Sequence, residues 1–195
     1  LGGSEGRTGA PLLAALGALR AGAGLVTVAC PAGLADAVRA GFPEVMALPL
    51  GQGRTWTQDM ARNLDLSAFD ALVLGPGMGR TPGAARMLQA VLRKRLPPLV
   101  LDADGLTLLS QDPQAQALLP ANAVLTPHPG EAARLLGRDT AQVQADRLEA
   151  ARELARRLGC VALLKGAGSL VAAPDGPLFL CPLAAPSLAV GGSGD

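Results

Sequence analysis

The stretch "PLVLDADGL" (98–106) holds the fold in miniature: an aliphatic run stops at two acids and a glycine. A strand with one wet face alternates apolar and polar residues. This run does not, so it reads as a strand covered on both faces, as in a parallel sheet flanked by helices. The same pattern recurs in "GLVTVAC" (24–30), "ALVLG" (71–75), "AVLT" (123–126) and "VALLK" (161–165). Helical stretches fill the intervals 8–21, 32–40, 80–95 and 140–158. The last is expected to start on Thr140 as its cap and to stop at arginines and Gly159. Residues 169–180 read as a hairpin about Asp175 and Gly176. Strand–helix alternation of this kind implies an α/β fold, a layered sandwich with a mostly parallel central sheet.

Composition narrows the function. At 195 residues the chain is sized for a single domain, and 49% hydrophobic against 17% charged residues makes it globular rather than disordered. The formal net charge is +1, with both signs scattered, and aromatics are 2% of the chain. Nucleic-acid binding needs a basic stripe and stacking rings, so it is not expected. Cys30, Cys160 and Cys181 are odd in number and far apart, which fits a reducing cytoplasm and no disulfide framework. One histidine argues against a His/Cys metal cluster. The apolar run 10–19 is broken by Arg20 well short of the roughly 20 residues that span a bilayer, so it reads as a buried helix and no membrane segment is expected.

In open parallel sheets, ligands bind beyond the carboxyl ends of the strands. Here those ends are chemically marked. "GPGMG" (75–79) follows the strand at 71–75, where Gly77 and Gly79 either admit a ligand to the backbone or make an ordinary turn. Asp102 and Asp104 follow the opening stretch; Asp104 reads as a cap for the next helix, and Asp102 as a residue that positions substrate or a metal-bound water. "PHPGE" (127–131) holds the lone histidine, His128, between two prolines, with Glu131 in the first turn of a helix. That setting favours ligand contact over general-base work, for which no carboxylate partner is evident nearby. "KGAGS" (165–169) opens with Lys165, one of two lysines in an arginine-rich chain; it suits a phosphate contact or a lysine on the sheet rim. "GGSGD" (191–195) offers converging backbone amides for an anion, with Asp195 beside them as a base toward an attacking hydroxyl.

Taken together, "GGSEGRTGA", "GAGLVTVACP", "GPGMG", "LDADGL", "TPHPGE", "LLKGAGSLV" and "GGSGD" resemble, in order and spacing, the ADP- or ATP-dependent NAD(P)H-hydrate dehydratases of the ribokinase-like superfamily. The resemblance covers nearly the whole chain. It implies a ribokinase-like three-layer sandwich and a metabolite-repair activity: a nucleotide phosphorylates the hydroxyl of hydrated NADH or NADPH, and loss of phosphate restores the ring. On that likeness Asp195 is the catalytic base, and the amides of Gly192, Ser193 and Gly194 form the anion hole. Ala10, Gly77, His128 and Asp195 match contacts to the hydrated dinucleotide. Lys165, Gly166, Ala167, Gly168, Ser169 and Gly194 match contacts to the nucleotide. The co-substrate is expected to be ADP, with ATP as the alternative, accompanied by Mg²⁺ without a protein metal centre. A cytoplasmic homo-oligomer, a tetramer by resemblance, is also implied.

Some positions depart from the family. Arg7 stands where an aromatic residue is common, and "CPLAAPS" (181–187) replaces a polar run. Residues 1–195 are expected to be one ribokinase-like domain lacking its first strand and C-terminal helices. A kinase for a small alcohol or vitamin precursor is the competing enzyme, and a non-catalytic nucleotide-binding module is the competing class.

Overall fold

A computed structural model describes residues 1–183, which fall in two compact units, Leu1–Pro97 and the residues from Pro98 onward. The first contains α1 (Gly9–Arg20), β1 (Val26–Pro31), α2 (Ala35–Arg39), β2 (Val45–Leu50), β3 (Leu72–Leu74) and α3 (Pro82–Leu92). β1 and β2 pair in parallel, from Val26 opposite Val45 to Pro31 opposite Leu50. β2 is absent from the sequence expectation. Its Pro49 removes a ladder donor, a substitution that only an edge position accepts, and this two-stranded sheet offers one. Leu12 and Ala15 from α1 pack with Val28, Cys30, Val38 and Val45 in a common core. In α3 the buried residues Ala84, Met87, Leu88 and Val91 follow helical spacing, and Thr81 caps the first turn by accepting from the Ala84 N–H.

The second unit contains β4 (Leu99–Leu101), α4 (Asp104–Ser110), α5 (Pro113–Gln116), β5 (Val124–Leu125), α6 (Pro129–Leu136), α7 (Thr140–Ala145), α8 (Arg147–Leu158), β6 (Val161–Leu164), β7 (Leu170–Ala172) and β8 (Leu178–Leu180). Its strands lie in the order β4-β5-β6-β7-β8. The first three are parallel and joined through helices; β7 and β8 add an antiparallel hairpin, as its Asp-Gly turn implies. Leu99, Leu101, Leu125 and Leu164 are fully buried while Val100 and Val124 are half-buried on the opposite face, so both faces are covered. The expected mostly parallel α/β architecture is what forms.

Three local expectations are corrected. The single helix over 140–158 is two helices, because Asp146 leaves helical geometry at φ −141°, ψ 82°. α7 is capped by Asp139, which exchanges hydrogen bonds with Gln142, so Thr140 is the first helical residue and not the cap. Asp104 is likewise inside α4; the cap position belongs to Ala103 at φ 53°, the one non-glycine residue with positive φ among the described residues. Such a backbone is strained for an L-residue, and it falls between the two acids at a strand end. The expected stop at Gly159 is present, in left-handed geometry.

Candidate active site

Parallel register sets the location. Leu101 lies opposite Leu125, and Leu125 opposite Ala162, so β4, β5 and β6 end at nearly one level. Pairing then runs slightly past each end. The Thr126 N–H donates to the Leu101 carbonyl at 3.2 Å, and the Lys165 N–H donates to the Pro127 carbonyl at 2.9 Å. The next side chains are therefore Asp102, His128 and Lys165, gathered from three segments. Lys165 Nζ donates to Asp102 Oδ1 at 3.0 Å, and both are largely sheltered, with side chains 13% and 29% exposed. The ammonium is thus held by a carboxylate instead of trailing over the sheet rim.

His128 is the cap of α6. Its Nδ1 accepts from the Gly130 N–H at 3.0 Å, and Glu131 Oε2 accepts from the His128 N–H at 3.0 Å. Two prolines and this reciprocal cap fix the imidazole. A carboxylate partner does exist, contrary to expectation: Glu131 Oε1 is 3.5 Å from Nε2. With Nδ1 occupied as an acceptor, the neutral ring presents Nε2–H as a donor, to Glu131 or to a ligand. Glu131 is 6% exposed. Burial pushes its carboxyl pKa above the ordinary glutamate value, partly offset by the His128 N–H, by His128 and by Lys165, while Asp102 adds to the rise.

The turn after β6 has glycines at both places that demand them: Gly166 at φ 137° and Gly168 at φ 71°. Ser169 Oγ donates to the Gly166 carbonyl at 3.1 Å, and Ala167 lies exposed between the glycines. Beneath the turn is a residue that sequence reading missed. The Arg147 guanidinium donates to the Lys165 carbonyl from both terminal nitrogens at 3.3 Å, to the Gly168 carbonyl at 3.1 Å, and to Gln144 Oε1 at 3.0 Å. A signal was available in "DRLE" (146–149), an acid three residues ahead of a glutamate, which marks a helix start inside the apparent single helix. Asp146 does cap there, accepting from the Glu149 N–H at 2.9 Å.

In the first unit, Gly77 is at φ 63°, and a Cβ placed there would stand 2.5 Å from the Arg7 carbonyl and 3.1 Å from Ala10 Cβ. Two of the expected dinucleotide contacts, Ala10 and Gly77, are thus neighbours. Gly192, Ser193, Gly194 and Asp195 lie outside the described residues, as does most of the "CPLAAPS" stretch. The cysteines have other roles: Cys30 and Cys160 are buried, and burial pushes the Cys160 thiol up to about 11. Among the described residues, no group of three or more His, Cys, Asp or Glu is placed to hold a metal, and no helix is long and apolar enough to cross a membrane.

Comparison with known proteins puts a family on this geometry. The chain is 42% identical over 201 residues to the bifunctional NAD(P)H-hydrate repair enzyme Nnr of Moorella thermoacetica, covering 100% of this chain and 38% of that protein. It is 41% identical over 199 residues to the ADP-dependent (S)-NAD(P)H-hydrate dehydratase of Neisseria meningitidis serogroup B, covering 100% of this chain and 64% of that protein. The crystal structure of the ADP/ATP-dependent NAD(P)H-hydrate dehydratase from Bacillus subtilis, co-crystallized with ATP/Mg²⁺, matches with TM-score 0.80 at 32% identity, over 98% of this chain and 65% of that one. The chain therefore spans between about a third and two thirds of these proteins' own lengths. The family model for NAD(P)H-hydrate dehydratase matches residues 1–195. The chain belongs to the NAD(P)H-hydrate dehydratase family.

Proposed function

We propose that this protein carries out the nucleotide-dependent dehydration of hydrated NADH or NADPH, with ADP as the phosphoryl donor. The observation that carries the reading is the gathering of Asp102, His128 and Lys165 beyond the ends of β4, β5 and β6, where a parallel sheet binds its ligands. Lys165 and the turn 166–169 would hold the nucleotide, Lys165 as a phosphate contact already aimed by Asp102. His128 would offer Nε2–H to the hydrated dinucleotide, for which Ala10 and Gly77 are the contacts expected in the first unit. ADP follows the Neisseria relative's name; the Bacillus relative's name allows ATP as well. Mg²⁺ would arrive on the nucleotide, whose phosphates supply most of its ligands.

The chemistry assigned to Asp195 is proton removal. Asp195 takes the proton of the added hydroxyl as that oxygen attacks the terminal phosphorus of ADP, and AMP leaves. The amides of Gly192, Ser193 and Gly194 would stabilise the transferring group. The carbon–oxygen bond would then break with its electron pair leaving on the phosphate, a proton would be lost from the adjacent ring carbon, and the reduced nicotinamide would be restored. We read residues 1–195 as one ribokinase-like domain, a reading supported by a family model that spans both units. A cytoplasmic homotetramer belongs to the same reading.

The test is spectroscopic. Full-length protein, hydrated NADH or NADPH, Mg²⁺ and ADP are combined, and the reduced-nicotinamide absorbance is followed. Recovery dependent on ADP or ATP is expected; no recovery with either nucleotide rejects the activity. In an active protein, Asp195→Asn should lower kcat by about a thousandfold or more if Asp195 is the base. A small-alcohol kinase would instead consume nucleotide without restoring the nicotinamide band.

A further inference from the structure

We infer that Arg147, a residue of the helical layer, is the positioning residue for the glycine turn 165–168 and thereby sets nucleotide affinity. The inference rests on the proposed nucleotide role of that turn. It starts from an imbalance in where the turn's polar groups go. The carbonyls of Lys165 and Gly168 face the guanidinium of Arg147, and the carbonyl of Gly166 accepts from the Ser169 hydroxyl. The N–H groups of Gly166 and Ala167 donate to nothing among the described residues. One basic side chain thus collects the acceptors on one side of the turn and leaves donors for a ligand. Successive backbone N–H groups in such a turn form a concavity suited to anions.

The contact is specific to both partners. A Cβ on Gly166 would stand 2.8 Å from Arg147 Nη1 and 3.0 Å from Nη2, so glycine is required by the guanidinium as well as by φ 137°. A planar fork can address two carbonyls three peptides apart and Gln144 at once; an ammonium is a compact point donor and cannot span them. Arg147 reaches the turn because it is the first residue of α8, immediately after the break at Asp146. The half-buried guanidinium spends its hydrogen bonds on Gln144 and on the turn, and none on His128, so its influence is expected on the nucleotide rather than on the dinucleotide.

The experiment uses the full-length protein and ADP as the probe. Isothermal calorimetry measures ADP binding, and steady-state kinetics separates KM for ADP from kcat and from KM for the hydrated dinucleotide. Arg147→Gln should weaken ADP binding and raise its KM about tenfold or more, with KM for the dinucleotide within twofold of the parent. Arg147→Lys should recover only a minor part of the loss. Gly166→Ala should weaken ADP in the parent and by less in the Arg147→Gln background, where the clash with the guanidinium is gone and only the strain of φ 137° remains. If Arg147→Gln does not fold, Arg147→Lys and Gly166→Ala carry the same comparison.

Folded Arg147→Gln or Arg147→Lys with parental ADP affinity overturns the inference and leaves the dehydratase reading intact. Equal weakening toward both substrates also overturns it, since that is the mark of a general loss of structure. ADP binding without turnover in the parent rejects the dehydratase reading alone, and calorimetry still tests Arg147. No ADP binding by the parent rejects both.

Discussion

Removing Asp102 isolates the interaction that holds Lys165. At 3.0 Å and an effective dielectric near 20, the two charges attract by about 5 kcal/mol. Desolvating both groups cancels most of that, and the partial exposure of Asp102 screens more, so the net coupling should be about 1–2 kcal/mol. Truncation to alanine costs more than the coupling, because Lys165 then keeps its charge in a sheltered place without an anion; about 2–3 kcal/mol is expected. For a protein of this size that is roughly 4–12 °C in Tm. The assay is a double-mutant cycle of Asp102→Asn and Lys165→Met by denaturant unfolding, with Asp102→Ala as the severe case. A coupling below about 0.3 kcal/mol would mean that water separates the pair in solution, and the argument that Asp102 aims Lys165 would fail.

Two further outcomes follow from the same geometry. Burial raises the Glu131 pKa, so the folded protein holds that proton longer than the unfolded chain, and Glu131 favours folding most below its ordinary value of 4.5. That contribution is lost as pH rises through the folded value. Glu131→Gln keeps an acceptor for the His128 N–H without the charge, so stability measured against pH should decline less steeply above pH 4.5 than in the parent; parallel curves would refute the assignment. With an aromatic disulfide reagent, exposed Cys181 should react promptly while buried Cys30 and Cys160 react only on unfolding; rapid modification of all three thiols would show the cores to be open.

The parallel strands were legible because their burial on two faces writes itself as unbroken aliphatic runs, and helix caps and glycine stops follow from local chemistry. β2 was not, because Pro49 is a strand-breaking signal that only the edge of a small sheet makes harmless. The break at Asp146 is marked only by the acid-to-glutamate step of "DRLE", against apolar spacing that continues across it. Strand ends told where His128 and Lys165 would stand. They could not tell what those residues touch: Asp102 and Lys165 are 63 positions apart, and Arg147 meets the turn from 18 positions upstream. Such contacts are set by register and helix placement, which no local pattern encodes.

The break at Asp146 also bears on portability. The five residues 165–169 look like a cassette that could be transplanted to another strand end. Their carbonyl anchors, however, come from an arginine whose position depends on a helix being interrupted one residue earlier. A graft that copied "KGAGS" alone would carry the glycines and leave behind the guanidinium that Gly166 makes room for. The transferable unit is the interrupted helix pair, the strand and the turn together.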